Sequence, residues 1–84
     1  MGVIRFSEQE LKLKGQFTTY RIGKYFNDFD YKILCHRWDD CLTYNEIGNY
    51  MMCSKQYIWD RLQKIYSTLE RIYVHEKSHL GFTI

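Results

Sequence analysis

Proline is absent from this sequence of 84 residues, and only five residues are glycine. Both residue types interrupt helices, so their scarcity argues against long loops and favours helical structure. The sequence also lacks the composition of a disordered chain, because 45% of its residues are hydrophobic and 26% are charged. A chain of this length predicts one small domain with a core of limited size.

Cysteine is also scarce, and its number is odd. The three cysteines do not have the spacing of a disulfide framework, and the sequence shows no signal peptide, transmembrane run or lipidation motif. We therefore expect a reduced protein of the cytoplasm that has no membrane partner. In such a protein Cys35 and Cys53 are small residues of the core.

A strong excess of one charge is lacking as well, since 12 basic residues accompany 10 acidic ones and the net charge is +2. This balance does not by itself indicate a nucleic-acid-binding protein. The order of the charges is basic, then acidic, then basic along the chain, which is compatible with one basic face. For the first basic block, a solvated surface is the favoured interpretation and an arm along DNA phosphates is the alternative. That block consists of Lys12, Lys14, Arg21 and Lys24.

The most informative stretch covers residues 42–62, where capping patterns predict two helices joined by a short link. Thr43 with Glu46 three residues later forms a capping box, and Ser54 is a second N-cap candidate. Hydrophobic residues flank both caps at the spacing of a hydrophobic staple. Because about ten residues separate the two starts, the first helix must be short, which is the layout of a helix-turn-helix.

Helical periodicity continues on both sides of this motif. A preceding helix is predicted over residues 28–38, with Asp30 and Arg37 outside its apolar face. The second motif helix is predicted to run over residues 55–75, because its apolar residues form a heptad seam. Packing of this seam within the molecule is favoured, and a homodimer through the C-terminal helix is the alternative. The seam consists of Ile58, Leu62, Ile65, Leu69 and Ile72.

The N-terminal region is less clearly patterned. Ser7 with Glu10 predicts a short helix that ends before Gly15, but alternation around Gly15 also fits a hairpin. Thr19 is a cap candidate for a helix over residues 20–26. The short apolar stretches at residues 2–6 and 80–84 fit either paired strands or packed tails. The fold prediction is a single all-α domain over residues 1–84, a compact helix-turn-helix of four to five helices with a long C-terminal helix.

Residues 29–69 resemble region four of bacterial sigma factors and small phage transcription regulators built on the same motif. Residues 42–48 match the LTYEEIA run of that family, and residues 52–54 occupy the place of its GVS. Cys41 and Met52 occupy positions where the family usually has glycine. Such positions often favour left-handed backbone, which a non-glycine residue adopts only at some cost. Gly48 replaces the usual alanine and lets the two motif helices approach.

The resemblance implies a sequence-specific DNA-binding transcription regulator that acts in the cytoplasm of a bacterial host cell. Its partner is double-stranded DNA, and the second motif helix is the recognition helix. The residues assigned to DNA binding are Thr43, Ser54, Lys55, Gln56, Tyr57, Trp59, Asp60, Arg61 and Lys64.

The roles of these residues follow from the donors and acceptors that they carry. Gln56 could bond adenine, and Asp60 could accept a hydrogen bond from cytosine. Lys55 or Arg61 could bond guanine or a phosphate. Tyr57 could contact a thymine methyl or a phosphate. A solvated helix face is the alternative. Trp59 and Asp60 occupy positions where the family often has Arg or Gln. This difference favours a second hypothesis, a protein-interaction module that binds RNA polymerase or another protein target as an inhibitor or mimic.

Metal and catalytic sites are not predicted. His75 and His79 have a helical spacing that suits zinc, but no close pair of cysteines accompanies them. No nucleophile lies beside an oriented base in the pattern. We therefore expect no catalytic residues, no metal and no cofactor in a protein that is not an enzyme.

Overall fold

The computed structural model describes residues 5–79, and the side chains of residues 5–76. The prediction of a small all-α domain with a long C-terminal helix is confirmed. The predicted strand candidates at residues 2–6 and 80–84 lie almost entirely outside the described residues. The described part contains the helices α1 (Glu8–Gln16), α2 (Thr19–Ile22), α3 (Asp28–Trp38), α4 (Tyr44–Met51) and α5 (Lys55–His79), with a 3-10 turn (Gly23–Tyr25) between α2 and α3.

The predicted helix caps are present at α4 and α5. Thr43 Oγ1 accepts a hydrogen bond from the Glu46 backbone N–H at 3.1 Å, and Glu46 Oε1 accepts one from the Thr43 N–H at 2.9 Å. Ser54 Oγ accepts from the Tyr57 N–H at 3.1 Å. These bonds satisfy amides that a helix leaves without intrahelical partners, so the starts of both motif helices are encoded locally.

The N-terminal region required two corrections. The helix rather than the hairpin forms at residues 8–16, and Gly15 lies inside α1 instead of after its end. The N-cap of α2 is Thr18 rather than Thr19. The Thr19 hydroxyl instead donates to Oδ2 of Asp39, the residue just after α3, at 2.8 Å.

The interpretation of Asp30 and Arg37 as residues outside the packed face of α3 is wrong. The two side chains are only 6% and 4% exposed. They are three residues before Ile33 and three residues after Leu34, so both lie on the buried face of the helix. Each is paired with an opposite charge from another helix, which is the usual condition for burying a charge.

The apolar seam of α5 faces the other helices of the same chain, so its predicted packing within the molecule is confirmed. The seam helix packs against α1, α3 and α4, and the first four residues of the seam are almost completely buried. Phe17, just after α1, meets Tyr73 edge to face with ring centroids 6.2 Å apart. Among the described residues, no helix has both the length and the hydropathy needed to cross a bilayer. The buried apolar core consists of Leu13, Phe17, Ile22, Ile33, Leu34, Trp38, Ile47, Ile58, Leu62, Ile65, Tyr66 and Leu69.

A buried polar cluster, which we call the Glu10 cluster, joins α1, α3 and α5 through Glu10, Arg37, Trp38 and Tyr66. Arg37 donates to both carboxylate oxygens of Glu10, at 2.8 and 3.0 Å. Tyr66 donates its hydroxyl to Glu10 and accepts from Trp38 Nε1 at 3.2 Å. Within the described residues, every buried side-chain nitrogen or oxygen has a hydrogen-bond partner. The cluster therefore buries polar groups from three helices together and leaves no charge among them unpaired.

Candidate nucleic-acid interface

The turn between α4 and α5 determines how the second motif helix projects from the domain. Met52 has φ 58° and ψ 42°, which is left-handed backbone, and its N–H bonds the Gly48 carbonyl. The Cys53 N–H bonds the same carbonyl at 2.8 Å. This arrangement closes α4 in the manner of a Schellman motif and redirects the chain within three residues. Cys41, after α3, also has φ 58°.

Gly48 allows the close approach of the turn to α4. A Cβ atom built on Gly48 would lie 2.6 Å from the Cys53 carbonyl oxygen, which is too close for any side chain. The sequence predicts a small residue at this position, and the structure narrows the requirement to glycine. The contact is with backbone, which leaves no room even for the methyl group of alanine.

The first turn of α5 is open to solvent and suited to an anion. Ser54, Lys55, Gln56 and Tyr57 are all exposed, and the first turn of the helix contains no acidic residue. The N-terminus of a helix carries partial positive charge from its aligned peptide dipoles, and Lys55 adds a full charge there. A phosphate group would therefore be favoured at this end of α5.

The first turn of α4 is less suited to a phosphate. Glu46 already occupies it, since its carboxylate accepts the Thr43 N–H. This backbone hydrogen bond, together with the bond to the Thr43 side chain, lowers the pKa of Glu46 below its usual range. Because the carboxylate is thus held ionised, Thr43 serves as a cap, and a phosphate there would meet a negative charge.

Aromatic side chains flank the start of α5. Tyr57 packs edge to face on Phe29 of α3 with ring centroids 6.2 Å apart, and 45% of it stays exposed. Trp59 is 42% exposed on the same helix. On α4, Tyr50 is 70% exposed and stacks on His36 at 5.3 Å. These rings supply apolar contact area beside the exposed turn.

The outward face of α5 carries Gln56, Asp60 and Lys64, which are spaced by four residues and are all exposed. Gln56 Nε2 donates to Asp60 Oδ1 at 3.1 Å. The positive charge of Lys64 follows one turn after Asp60. Tyr57 lies beside this face, and Lys55 lies at the exposed start of the helix. The face and the helix start together form the accessible surface that we call the α5 surface, which contains Lys55, Gln56, Tyr57, Asp60 and Lys64.

Arg61 has a different environment from its neighbours on α5. It is only partly exposed, and its Nε and Nη2 donate to the two carboxylate oxygens of Asp30 at 3.0 and 2.5 Å. The hydrogen bonds to Asp30 raise the pKa of Arg61, so its guanidinium stays charged in the pair. The sequence prediction missed Asp30 as a partner, although its spacing from Ile33 indicates burial.

The N-terminal basic block does not continue the α5 surface. Lys14 Nζ donates to the Trp38 carbonyl at 2.9 Å and lies over the Phe6 ring. Arg21 and Lys24 line a groove with Glu76, near the far end of α5. That end is about 30 Å from Lys55 along the helix axis. The arrangement favours the solvated-surface interpretation of the block over an arm along DNA.

Metal-ligating side chains do not gather in the part of the chain that the structure describes: no three His, Cys, Asp or Glu side chains there could hold one ion. Cys35, Cys41 and Cys53 are free thiols. The His79 side chain lies outside the described residues. Comparisons of the chain with protein-family models, with curated proteins and with solved structures find no match.

Proposed function

We propose that the chain is a small DNA-binding transcription regulator that inserts the first turns of α5 into the major groove of double-stranded DNA. The observation that carries this proposal is the α5 surface: an exposed, serine-capped helix start that bears Lys55, Gln56 and Tyr57. In helix-turn-helix proteins, these N-terminal residues of the second helix contact base edges.

The backbone of the two linkers supports the resemblance to region four of sigma factors. Cys41 and Met52 are left-handed at the two positions where that family usually has glycine. A non-glycine residue rarely adopts this conformation, so finding it at both positions agrees with the alignment of the two motifs. Under this proposal α4 crosses the DNA backbone and α5 reads the groove.

The electrostatic part of the binding should be modest. Lys55 and Lys64 are the two cations on the α5 surface, whereas Arg61 is paired with Asp30. Each phosphate that is neutralised adds about 0.9 to the steepness of the salt dependence of duplex binding. Two such contacts predict a slope of about −2 for log K against log salt, which is small for a DNA-binding domain.

The test replaces Lys55 and Lys64 together with alanine. We expect weaker binding to duplex DNA and a salt slope reduced by about 2, measured by fluorescence anisotropy across a salt series. The control, Arg21→Ala with Arg71→Ala, removes the same charge far from the first turns of α5 and should leave the slope unchanged. No binding to any duplex at low salt would contradict the proposal.

A protein-interaction module that binds RNA polymerase or another protein is the second candidate. The exposed aromatic and methionine side chains support it, since Tyr50, Trp59 and the 93% exposed Met52 lie around the turn. Large aromatic residues are frequent anchors of protein interfaces. Capture of a host protein that survives nuclease treatment and is lost in Trp59→Ala, together with no duplex binding, would favour this candidate over DNA.

A further inference from the structure

The hydrogen bond between Gln56 and Asp60 determines how the outward face of α5 presents its polar atoms. Asp60 is a carboxylate and can only accept, so the amide nitrogen of Gln56 must be the atom that points to it. This orientation leaves Oε1 and the second N–H of Gln56 for a partner. Asp60 keeps its other oxygen, Oδ2, as a further acceptor. The centre of the face is therefore rich in acceptors.

Arg61, one of the two cations that could bond guanine, is engaged elsewhere. An arginine fork bonded to O6 and N7 is the commonest contact to guanine in the major groove. Here the fork of Arg61 is bonded to both oxygens of Asp30, a side chain that is itself buried. Lys55 and Lys64 lie at the two ends of the Gln56–Asp60 pair along the helix, where they suit phosphates.

From this arrangement, and resting on the DNA binding proposed above, we infer that the α5 surface recognises an exocyclic amino group in the major groove. The two sources of that group are N6 of adenine and N4 of cytosine. Gln56 and Asp60 are the residues that determine this specificity, and Asp60 also positions the Gln56 amide. Guanine O6 and thymine O4 are acceptors, and the second N–H of Gln56 is the one atom left on this pair that could donate to them, so both bases would be disfavoured.

The first experiment selects bound sequences from a pool of random duplexes and compares the wild type with Asp60→Asn. The wild type should enrich adenine or cytosine at the position contacted by this pair, by about tenfold over guanine and thymine. Asp60→Asn should bind unselected duplex more tightly, because a negative charge near phosphates is removed, while its base preference falls to about twofold. A substitution with a purely structural effect would not move affinity and specificity in opposite directions.

Glu70→Gln is the matched control for this substitution. It removes the same charge from an exposed position of α5, about 15 Å further along the helix axis. We expect it to leave both the affinity for unselected duplex and the base preference unchanged. Thermal melting of each variant checks that the fold is retained.

A second experiment distinguishes the two sources of the amino group. The selected adenine or cytosine is replaced by purine or 2-pyrimidinone, which lack that group, and affinity should fall about tenfold. If Gln56 reads adenine, Gln56→Ala loses this discrimination. If Asp60 reads cytosine, Asp60→Asn loses it.

The outcomes separate this inference from the function on which it rests. Enrichment of guanine or thymine, or a preference unchanged in Asp60→Asn, would overturn the inference and leave duplex binding standing. Failure to bind any duplex would overturn both this inference and the proposed DNA binding. The same holds if the chain stably captures a protein partner and binds no duplex.

Discussion

Met52 combines a flexible side chain with left-handed backbone, which suits glycine far better. Its side chain is almost fully exposed and contributes little packing. The conformation costs roughly 1 kcal/mol because the Cβ atom crowds the following carbonyl. The cost persists because the Met52 and Cys53 amides both bond the Gly48 carbonyl, which requires this turn.

Relief of this strain gives a prediction at the scale of one residue. Met52→Gly should raise the free energy of unfolding by about 1 kcal/mol and the melting temperature by roughly 5 °C. Met52→Ala is the control, because it removes the side chain but keeps a Cβ atom, and it should leave stability almost unchanged. Equal effects of the two substitutions in thermal melts would show that the backbone is not strained.

Arg61 illustrates how a partner changes the role of a residue. In the sequence it is one of several cations around α5, and it suited guanine or phosphate equally well. In the structure Asp30 holds it against α3, where it contributes to packing between helices. Between the two lysines of the α5 surface, Gln56 and Asp60 then offer mainly acceptors, and this shift underlies the specificity proposed above.

The approach of α4 to the start of α5 depends on the absence of one side chain. The space at Gly48 is filled by the Cys53 carbonyl, whereas nothing lies within 4 Å of a Cβ atom built on Gly15 in α1. The two glycines thus differ in their surroundings, although both lie within helices.

This difference predicts opposite effects of the same substitution in two helices. Gly48→Ala should lower the free energy of unfolding by about 1–3 kcal/mol, because the overlap with the Cys53 carbonyl outweighs the better helix propensity of alanine. Gly15→Ala should raise it by about 0.5–1 kcal/mol, since only propensity changes. Urea denaturation measures both, and a stabilising Gly48→Ala would contradict the close approach described here.

At the scale of the molecule, the Glu10 cluster attaches α1 to the helix-turn-helix. Burial by itself would raise the pKa of Glu10, but hydrogen bonds from Arg37, Tyr66 and the Ser7 amide outweigh burial and lower it below 4.5. Burial and the bond to Glu10 raise the pKa of Tyr66, so its hydroxyl remains a donor at alkaline pH.

Acid should therefore destabilise the whole domain through this cluster. Because the pKa of Glu10 is lower in the folded state, its contribution is fully present above pH 4.5 and is lost as the pH falls through the lower folded value. Glu10→Gln should cost about 3 kcal/mol at neutral pH by leaving Arg37 buried without its counter-charge. Its stability should then vary less than that of the wild type below pH 4.5, as measured by denaturation at several pH values.

Two further variants keep this prediction testable if Glu10→Gln does not fold. Tyr66→Phe should cost about 2 kcal/mol, because the Trp38 N–H loses its buried acceptor and Glu10 loses a donor. Glu8→Gln changes an exposed carboxylate on the same helix and should stay within about 0.5 kcal/mol of the wild type. An acid dependence that is identical in wild type and Glu10→Gln would show that another carboxylate is responsible.

The elements that the sequence predicts well are those with a local cause. The Thr43–Glu46 capping box, the Ser54 cap and the heptad seam each act within a few residues, and each predicts a helix that the structure contains. The glycine-like positions of Cys41 and Met52 are also local, since they follow from the closure of single helices. These features determine the all-α fold and the exposed start of α5.

Tertiary structure alone decided which charged side chains are available on that fold. Arg61 meets Asp30 across 31 residues, Arg37 meets Glu10 across 27, and Tyr66 meets Glu10 across 56. Such pairs form only when separate helices bring opposite charges together out of water, which spacing along one helix does not encode. The sequence by itself therefore determined the second motif helix, and packing determined that Gln56, Asp60 and two lysines, rather than Arg61, form its open surface.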